Sequence, residues 1–147
     1  MTQNNVLLHV EDDPNDVLLL QRAFRKANIA LNIQSVSDGD KAVAYLTGAE
    51  GYADREKFPL PNVILLDLKM PRKSGLEVLA RIRSEDKLRR LVVIIFTSSK
   101  HDEDVRKAYD LGANSYLVKP VGFDMLVDLA KLVHQYWLSV NERPPSA

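Results

Sequence analysis

Five short apolar runs punctuate the chain, at Val6 to Val10, Ile33 to Val36, Val63 to Leu66, Val92 to Phe96 and Ser115 to Val118. Each is short for a helix and mostly apolar without alternation, so each reads as a strand buried on both faces. Between them lie amphipathic stretches at Asn15 to Ala27, Gly39 to Leu46, Gly75 to Arg83, Asp102 to Leu111 and Phe123 to about Ser139. The alternation predicts βα units and an α/β fold, a doubly wound five-stranded parallel sheet with five helices. Asp13 can cap the first helix, with Pro14 at its first position, where the missing N–H costs nothing, and Gly112 closes the fourth. Thr47 to Pro61 holds two glycines and two prolines among mixed charges and reads as a long surface loop. One domain is expected over residues 1–147, with its core at about 6–139 and a frayed tail at 140–147 ending in "RPPSA".

Composition narrows the function. The 147 residues are 46% hydrophobic and 27% charged, as in an ordinary globular chain. Lys plus Arg equals Asp plus Glu at 20 each, so no net field draws the protein to nucleic acid or to an anionic membrane. Apolar runs such as Leu91 to Phe96 are far too short to span a bilayer, and Met1 to Asn5 lacks a basic signal-peptide start, which points to a cytoplasmic protein. The absence of cysteine excludes disulfides, thiolate metal sites and cysteine nucleophiles.

In an open parallel sheet the carboxyl ends of the strands share one edge, and ligands bind where strand order reverses. That edge collects Glu11, Asp12 and Asp13 after the first strand, Asp67 after the third, Thr97 and Ser98 after the fourth, and Lys119 after the fifth. Each has an ordinary alternative. Asp12 or Asp13 can be a helix cap, Asp67 a turn residue, "TSS" a cap for the helix near Asp102, and Lys119 a solvated lysine. Jointly the alternatives fare worse, because four of five strand ends supply groups that make chemical sense together. A hard divalent cation explains why three acids end an apolar strand: carboxylates and carbonyl oxygens suit Mg²⁺, which offsets their repulsion.

The segments "VEDDPND", "VILLDLKMPRKSG", "FTSS" and "AYDLGANSYLVKP" together resemble the receiver domain of bacterial two-component response regulators, from about Val6 to Val133. The resemblance implies strand order 2-1-3-4-5, which the chemotaxis receiver exemplifies. It also implies a phosphoaspartate switch, with Asp67 as phosphoacceptor from a phosphohistidine of a sensor histidine kinase. Glu11, Asp12, Asp67 and the Lys69 backbone carbonyl would hold Mg²⁺, with Mn²⁺ able to substitute. Thr97 and Lys119, beside Ser98, would contact the phosphoryl group, and Tyr116 matches the switch aromatic. The Lys119-Pro120 bond is expected to be cis, aiming the lysine at the site. Signalling would proceed through the surface of the fourth helix, fifth strand and fifth helix. The chain would catalyse its own phosphorylation and dephosphorylation without being a metabolic enzyme.

Some positions depart from the commonest family pattern. Lys69 stands for Asn, Ser98 for a small Ala or Gly, and Ser74 for Asp, which bears on kinetics and not on class. His9 reads as a packed, hydrogen-bonded core residue outside the site.

The fifth helix carries two apolar stripes, Leu126, Ala130, Val133, Trp137 and Val140 beside Met125, Leu129, Leu132 and Tyr136. A sheet face buries one, so the second is either more core for a long helix or a two-fold dimer surface. With the 47–61 loop, this extended end is similar to single-domain regulators that accompany phytochrome-type kinases. The chain ends soon after this helix, so its output would be a protein contact.

Three rivals stand beside the switch. A haloacid-dehalogenase phosphohydrolase wants a second acid where Lys69 stands. A flavodoxin-like carrier wants a phosphate-cradling loop where "EDDPND" has the wrong charge, and a phosphate-independent binding module has no use for Asp12, Asp67, Thr97 and Lys119 together.

Overall fold

In the computed structural model, which describes residues 5–145, the apolar runs are strands and the periodic stretches are helices. The strands are β1 (Val6–Val10), β2 (Asn32–Val36), β3 (Val63–Leu66), β4 (Val92–Thr97) and β5 (Ser115–Val118). The helices are α1 (Pro14–Lys26), α2 (Gly39–Thr47), α3 (Gly75–Ser84), α4 (Asp102–Asp110) and α5 (Phe123–Gln135), the last continuing into a π-helical turn over Tyr136–Val140. All neighbouring strands pair in parallel, in the order β2-β1-β3-β4-β5. The expected architecture and order both hold.

Strand side chains alternate between two cores. Leu8, Val10, Ile64, Leu66, Val93 and Ile95 pack with Tyr45, Val78, Leu79, Ile82 and Ala108 from α2, α3 and α4. Leu7, Val63, Leu65, Ile94 and Phe96 pack with Leu20 and Phe24 of α1 and with Val127, Ala130 and Val133 of α5. Only β1, β3 and β4 are buried along their whole length. β2 and β5 at the margins are largely half-exposed, because flanking helices overhang the centre of a sheet more than its rims. Gln34, Ser35 and Ser115 are tolerated there for that reason.

Other signals resolve in detail. Asp13 accepts a hydrogen bond from the Asn15 amide at 2.9 Å as the α1 cap. Gly112, at φ 101°, follows α4 in the left-handed region that ends a helix cheaply. The stretch after α2 packs tightly: Tyr45, Tyr52 and Phe58 cluster with ring centroids 4.9 to 5.9 Å apart. The Arg55 guanidinium donates to the carbonyls of Tyr45 (2.8 Å), Leu46 (3.0 Å) and Phe58 (3.1 Å), satisfying the orphan carbonyls at the end of α2. In the C-terminal segment Arg143 donates to Asn5 Oδ1 at 2.9 Å; Ser146 and Ala147 lie outside the described residues.

Gly75 begins α3 directly against β3. A Cβ there would sit 2.1 Å from the Asp67 carbonyl oxygen and 2.7 Å from the Leu68 Cα, both backbone atoms that cannot step aside alone. Gly75→Ala is therefore expected to lower the unfolding free energy by about 1–3 kcal/mol, the usual range for overpacking, read as a lower urea midpoint at unchanged m-value.

Candidate functional site

The ends of β1, β3, β4 and β5 bring the predicted groups to one edge. Glu11 follows β1 and is almost wholly buried, its amide donating to the Val36 carbonyl at 3.1 Å and one carboxylate oxygen accepting from the Asp13 amide at 3.2 Å. With Asp13 committed to the α1 cap, Asp12 is left exposed and free to face the site. Asp67 follows β3. Its amide extends the pairing to the Val10 carbonyl at 3.1 Å, and Oδ1 accepts from the Lys69 amide at 3.3 Å. Carboxylate oxygens of Glu11, Asp12 and Asp67 lie within 4.8 Å of one another. A hard, all-oxygen set this close and this negative fits a divalent cation.

Asp67 also opens into a cavity of about 390 Å³ lined by Lys69, Thr97, Ser98, Ser99 and His101. Thr97 is buried at the end of β4, whereas Ser98 and the Lys69 side chain face solvent. "TSS" does not cap the fourth helix: His101 stands at the cap of α4 without a side-chain bond, and the Ser99 hydroxyl instead donates to Asp104 at 2.5 Å and accepts from the His101 amide at 3.3 Å. Tyr116 joins the same loop, its hydroxyl donating to the Ser99 carbonyl at 2.9 Å.

Lys119 ties these elements together. Its amide donates to the Thr97 carbonyl at 2.8 Å, prolonging the β4–β5 pairing. Its ammonium contacts Glu11, Asp16 (2.9 Å) and Asp67 (3.2 Å). The expected cis Lys119-Pro120 bond is not found: the bond is trans, as is every described peptide bond. Pairing to Thr97 already directs the lysine inward, and trans is the lower-energy isomer even before proline. Asp16 was missed in the sequence. The available signal was its place in the first turn of α1, directly after the strand end that carries Glu11 and Asp12.

Charge at this edge is unbalanced, with Glu11, Asp12, Asp16 and Asp67 sharing one ammonium. Burial pushes Glu11 up to about 7 against the pull of Lys119. Burial works to lower Lys119, but its bonds to Glu11 and Asp16 override this and hold the ammonium above its ordinary range. Lys119 therefore stays charged at neutral pH. His9 is packed as expected but not hydrogen-bonded, since neither ring nitrogen has a partner among the described residues. β1 points it to the same side of the sheet as Leu7, where its ring lies 6.3 Å from that of Phe96. Burial, with Lys119 nearby, drives its pKa down to about 3.

Comparison with known proteins identifies the class. The family described as the response regulator receiver domain matches residues 7–131, and the chain belongs to it. The chain is 37% identical to the probable methanogenesis regulatory protein FilR2 of Methanothrix harundinacea over 97% of this chain and 89% of that protein. The crystal structure of the phosphorylated cyanobacterial phytochrome response regulator RcpA superposes with a TM-score of 0.89 at 34% identity, covering 97% of this chain and 100% of that one. The Mn²⁺-bound form of response regulator Rcp1, from Synechocystis, gives 0.84 at 35% identity, covering 96% and 99%.

His9 generates a prediction. Replacing a buried residue that has two unpartnered nitrogens by an apolar one removes a desolvation cost of about 1 kcal/mol or more. Because the folded pKa lies below the ordinary value of 6.5, the unfolded chain takes up the proton first as pH falls. Wild type then loses about 1.4 kcal/mol per pH unit below that value through His9, a loss absent above it. Glu11 acts in the opposite direction in both proteins, so the difference between them isolates His9. His9→Leu is expected to exceed wild type in urea unfolding with chelator at pH 8, and by about 2 kcal/mol more at pH 5.

Proposed function

We propose that this chain is a phosphoaspartate switch in which Asp67 accepts a phosphoryl group from a phosphohistidine of a sensor histidine kinase. The observation that carries the reading is the meeting of a buried carboxylate, two further acids within 4.8 Å and an ammonium at 3.2 Å, at the mouth of a cavity lined by Thr97 and Ser98. Glu11, Asp12, Asp67 and the Lys69 carbonyl would hold Mg²⁺ or Mn²⁺, which supplies charge neutralisation for the transferring group. An Asp67 oxygen forms the new bond to phosphorus in line as the bond to the histidine nitrogen breaks. Lys119 neutralises charge on the phosphoryl oxygens, and hydrolysis of the acyl phosphate by water resets the switch. Ser98 and the Lys69 side chain border the path of that water, so they set the lifetime of the phosphorylated state.

Output follows from the Thr97 hydroxyl closing on the phosphoryl group and drawing in the loop after β4. Tyr116, bonded to that loop through Ser99, moves with it, and the change reaches the surface of α4, β5 and α5. The phytochrome regulator among the similar structures supports a phytochrome-type kinase as partner. On α5 and the turn that continues it, Met125, Leu132 and Tyr136 are more than half exposed while Leu129 packs partly against the core, which supports a two-fold dimer through this face. No helix among the described residues is long and apolar enough to cross a membrane, and the balanced charge favours protein partners over nucleic acid; we place the switch in the cytoplasm.

Intact mass after incubation with Mg²⁺ and acetyl phosphate tests the switch. Wild type is expected to gain one phosphoryl group, dependent on Mg²⁺, and Asp67→Asn none. If wild type stays unmodified and beryllofluoride with Mg²⁺ also fails to bind, a phosphate-independent binding module replaces this reading. For the dimer, sedimentation equilibrium with and without beryllofluoride should show concentration-dependent association that Leu132→Glu abolishes. Monomers at every concentration in both states would refute it.

A further inference from the structure

Lys119 has three N–H donors, and all are taken in this structure, by Glu11, Asp16 and Asp67. A phosphoryl oxygen arriving at Asp67 finds no free donor, so one bond has to be given up. The three carboxylates are not equivalent. The side chains of Glu11 and Asp67 are 1% and 9% exposed, whereas that of Asp16 is 36% exposed. Releasing Glu11 gives up a bond to a group shut off from water, which leaves a buried polar oxygen short of a partner. Released Asp16 returns to water with little loss, as for other exposed ion pairs. Asp67 is the group being modified.

We propose that Asp16 is a positioning residue that holds Lys119 back from the incoming phosphoryl group, so that release of this bond is a step of activation. The proposal rests on Asp67 being the phosphoacceptor. Asp16 lies in the first turn of α1 and Lys119 just beyond β5, so the bond links α1 to the end of β5. It also adds a negative charge next to a site that must admit an anion. Removing that charge takes away both a competitor for the lysine and a source of repulsion. The effect falls on occupancy by the donor and not on the chemical step, because at saturating donor the lysine has already left Asp16.

Asp16→Asn keeps the shape and removes the charge, and Asp16→Glu restores the charge. With Mg²⁺ present, the acetyl phosphate concentration giving half-maximal phosphorylation rate is expected to fall at least threefold in Asp16→Asn. The limiting rate should change less than twofold, and Asp16→Glu should return toward wild type. A second readout needs no phosphoryl donor. Competitive acetylation with acetic anhydride, read by peptide mass against the exposed Lys87, should label Lys119 at least threefold faster in Asp16→Asn than in wild type. Urea unfolding confirms that each variant is folded. Half-saturation that is unchanged or raised in Asp16→Asn, with wild type phosphorylated normally, overturns the role of Asp16 alone. Wild type that takes no phosphoryl group overturns the phosphoacceptor reading and this inference with it.

Discussion

One ammonium among four carboxylates is the constraint on which the functional edge depends. Glu11, Asp16 and Asp67 come from the end of β1, the first turn of α1 and the end of β3, and Lys119 from beyond β5. The order β2-β1-β3-β4-β5 puts β1 and β3 side by side, so their terminal acids cannot avoid each other. A buried ion pair of this kind is weak evidence for stability, because desolvation consumes most of the Coulombic gain. Its value lies in imbalance: a cation at the acids, or a phosphoryl group at Asp67, changes the local charge and hence where Lys119 is best placed.

Tyr116 lies on β5, and Lys119 directly follows that strand. Lys119 is pinned to Thr97 through its backbone, and Tyr116 to Ser99 through its hydroxyl, so β5 holds the loop after β4 at two points. Ser99 passes the connection on to Asp104 in the first turn of α4. Under the proposed function, a shift of Thr97 therefore reaches α4 through hydrogen bonds, without repacking of the two cores.

The sheet and its helices were legible because periodicity reports burial, and burial is uniform in the central strands. Reading failed where environment departs from that uniformity. β2 and β5 read as buried strands yet are largely half-exposed: Asn32, Gln34 and Ser35 already break the apolar run of β2, while β5 shows that a single run cannot say whether a neighbour covers it. The acids after β1, Asp67, Thr97 and Lys119 could be placed from topology alone, because strand ends share an edge by construction. Asp16 could not, since it reaches the site from a helix through one turn of α1. The cis Lys119-Pro120 bond came from resemblance and had no local signal of its own; the β4–β5 pairing sets that geometry instead. Arg55 looked like one charge in a polar loop, while its partners are backbone carbonyls, which have no sequence signature.

His9 was read as hydrogen-bonded because buried polar groups nearly always are. Its lack of partners makes sense from what lies beside it. The ring sits near Phe96, and the Lys119 ammonium lies 6.0 Å from that same phenyl ring. A neutral imidazole and an aromatic face give the site a floor with no formal charge. Every full charge that Lys119 meets therefore comes from the acids above it. Burial of both rings lowers the local dielectric, which strengthens each of those interactions relative to water. A charged or strongly hydrogen-bonded histidine at that position would repel the ammonium or compete for it. The unsatisfied nitrogens thus cost stability in a place where an uncharged neighbour keeps the lysine responsive to the carboxylates alone.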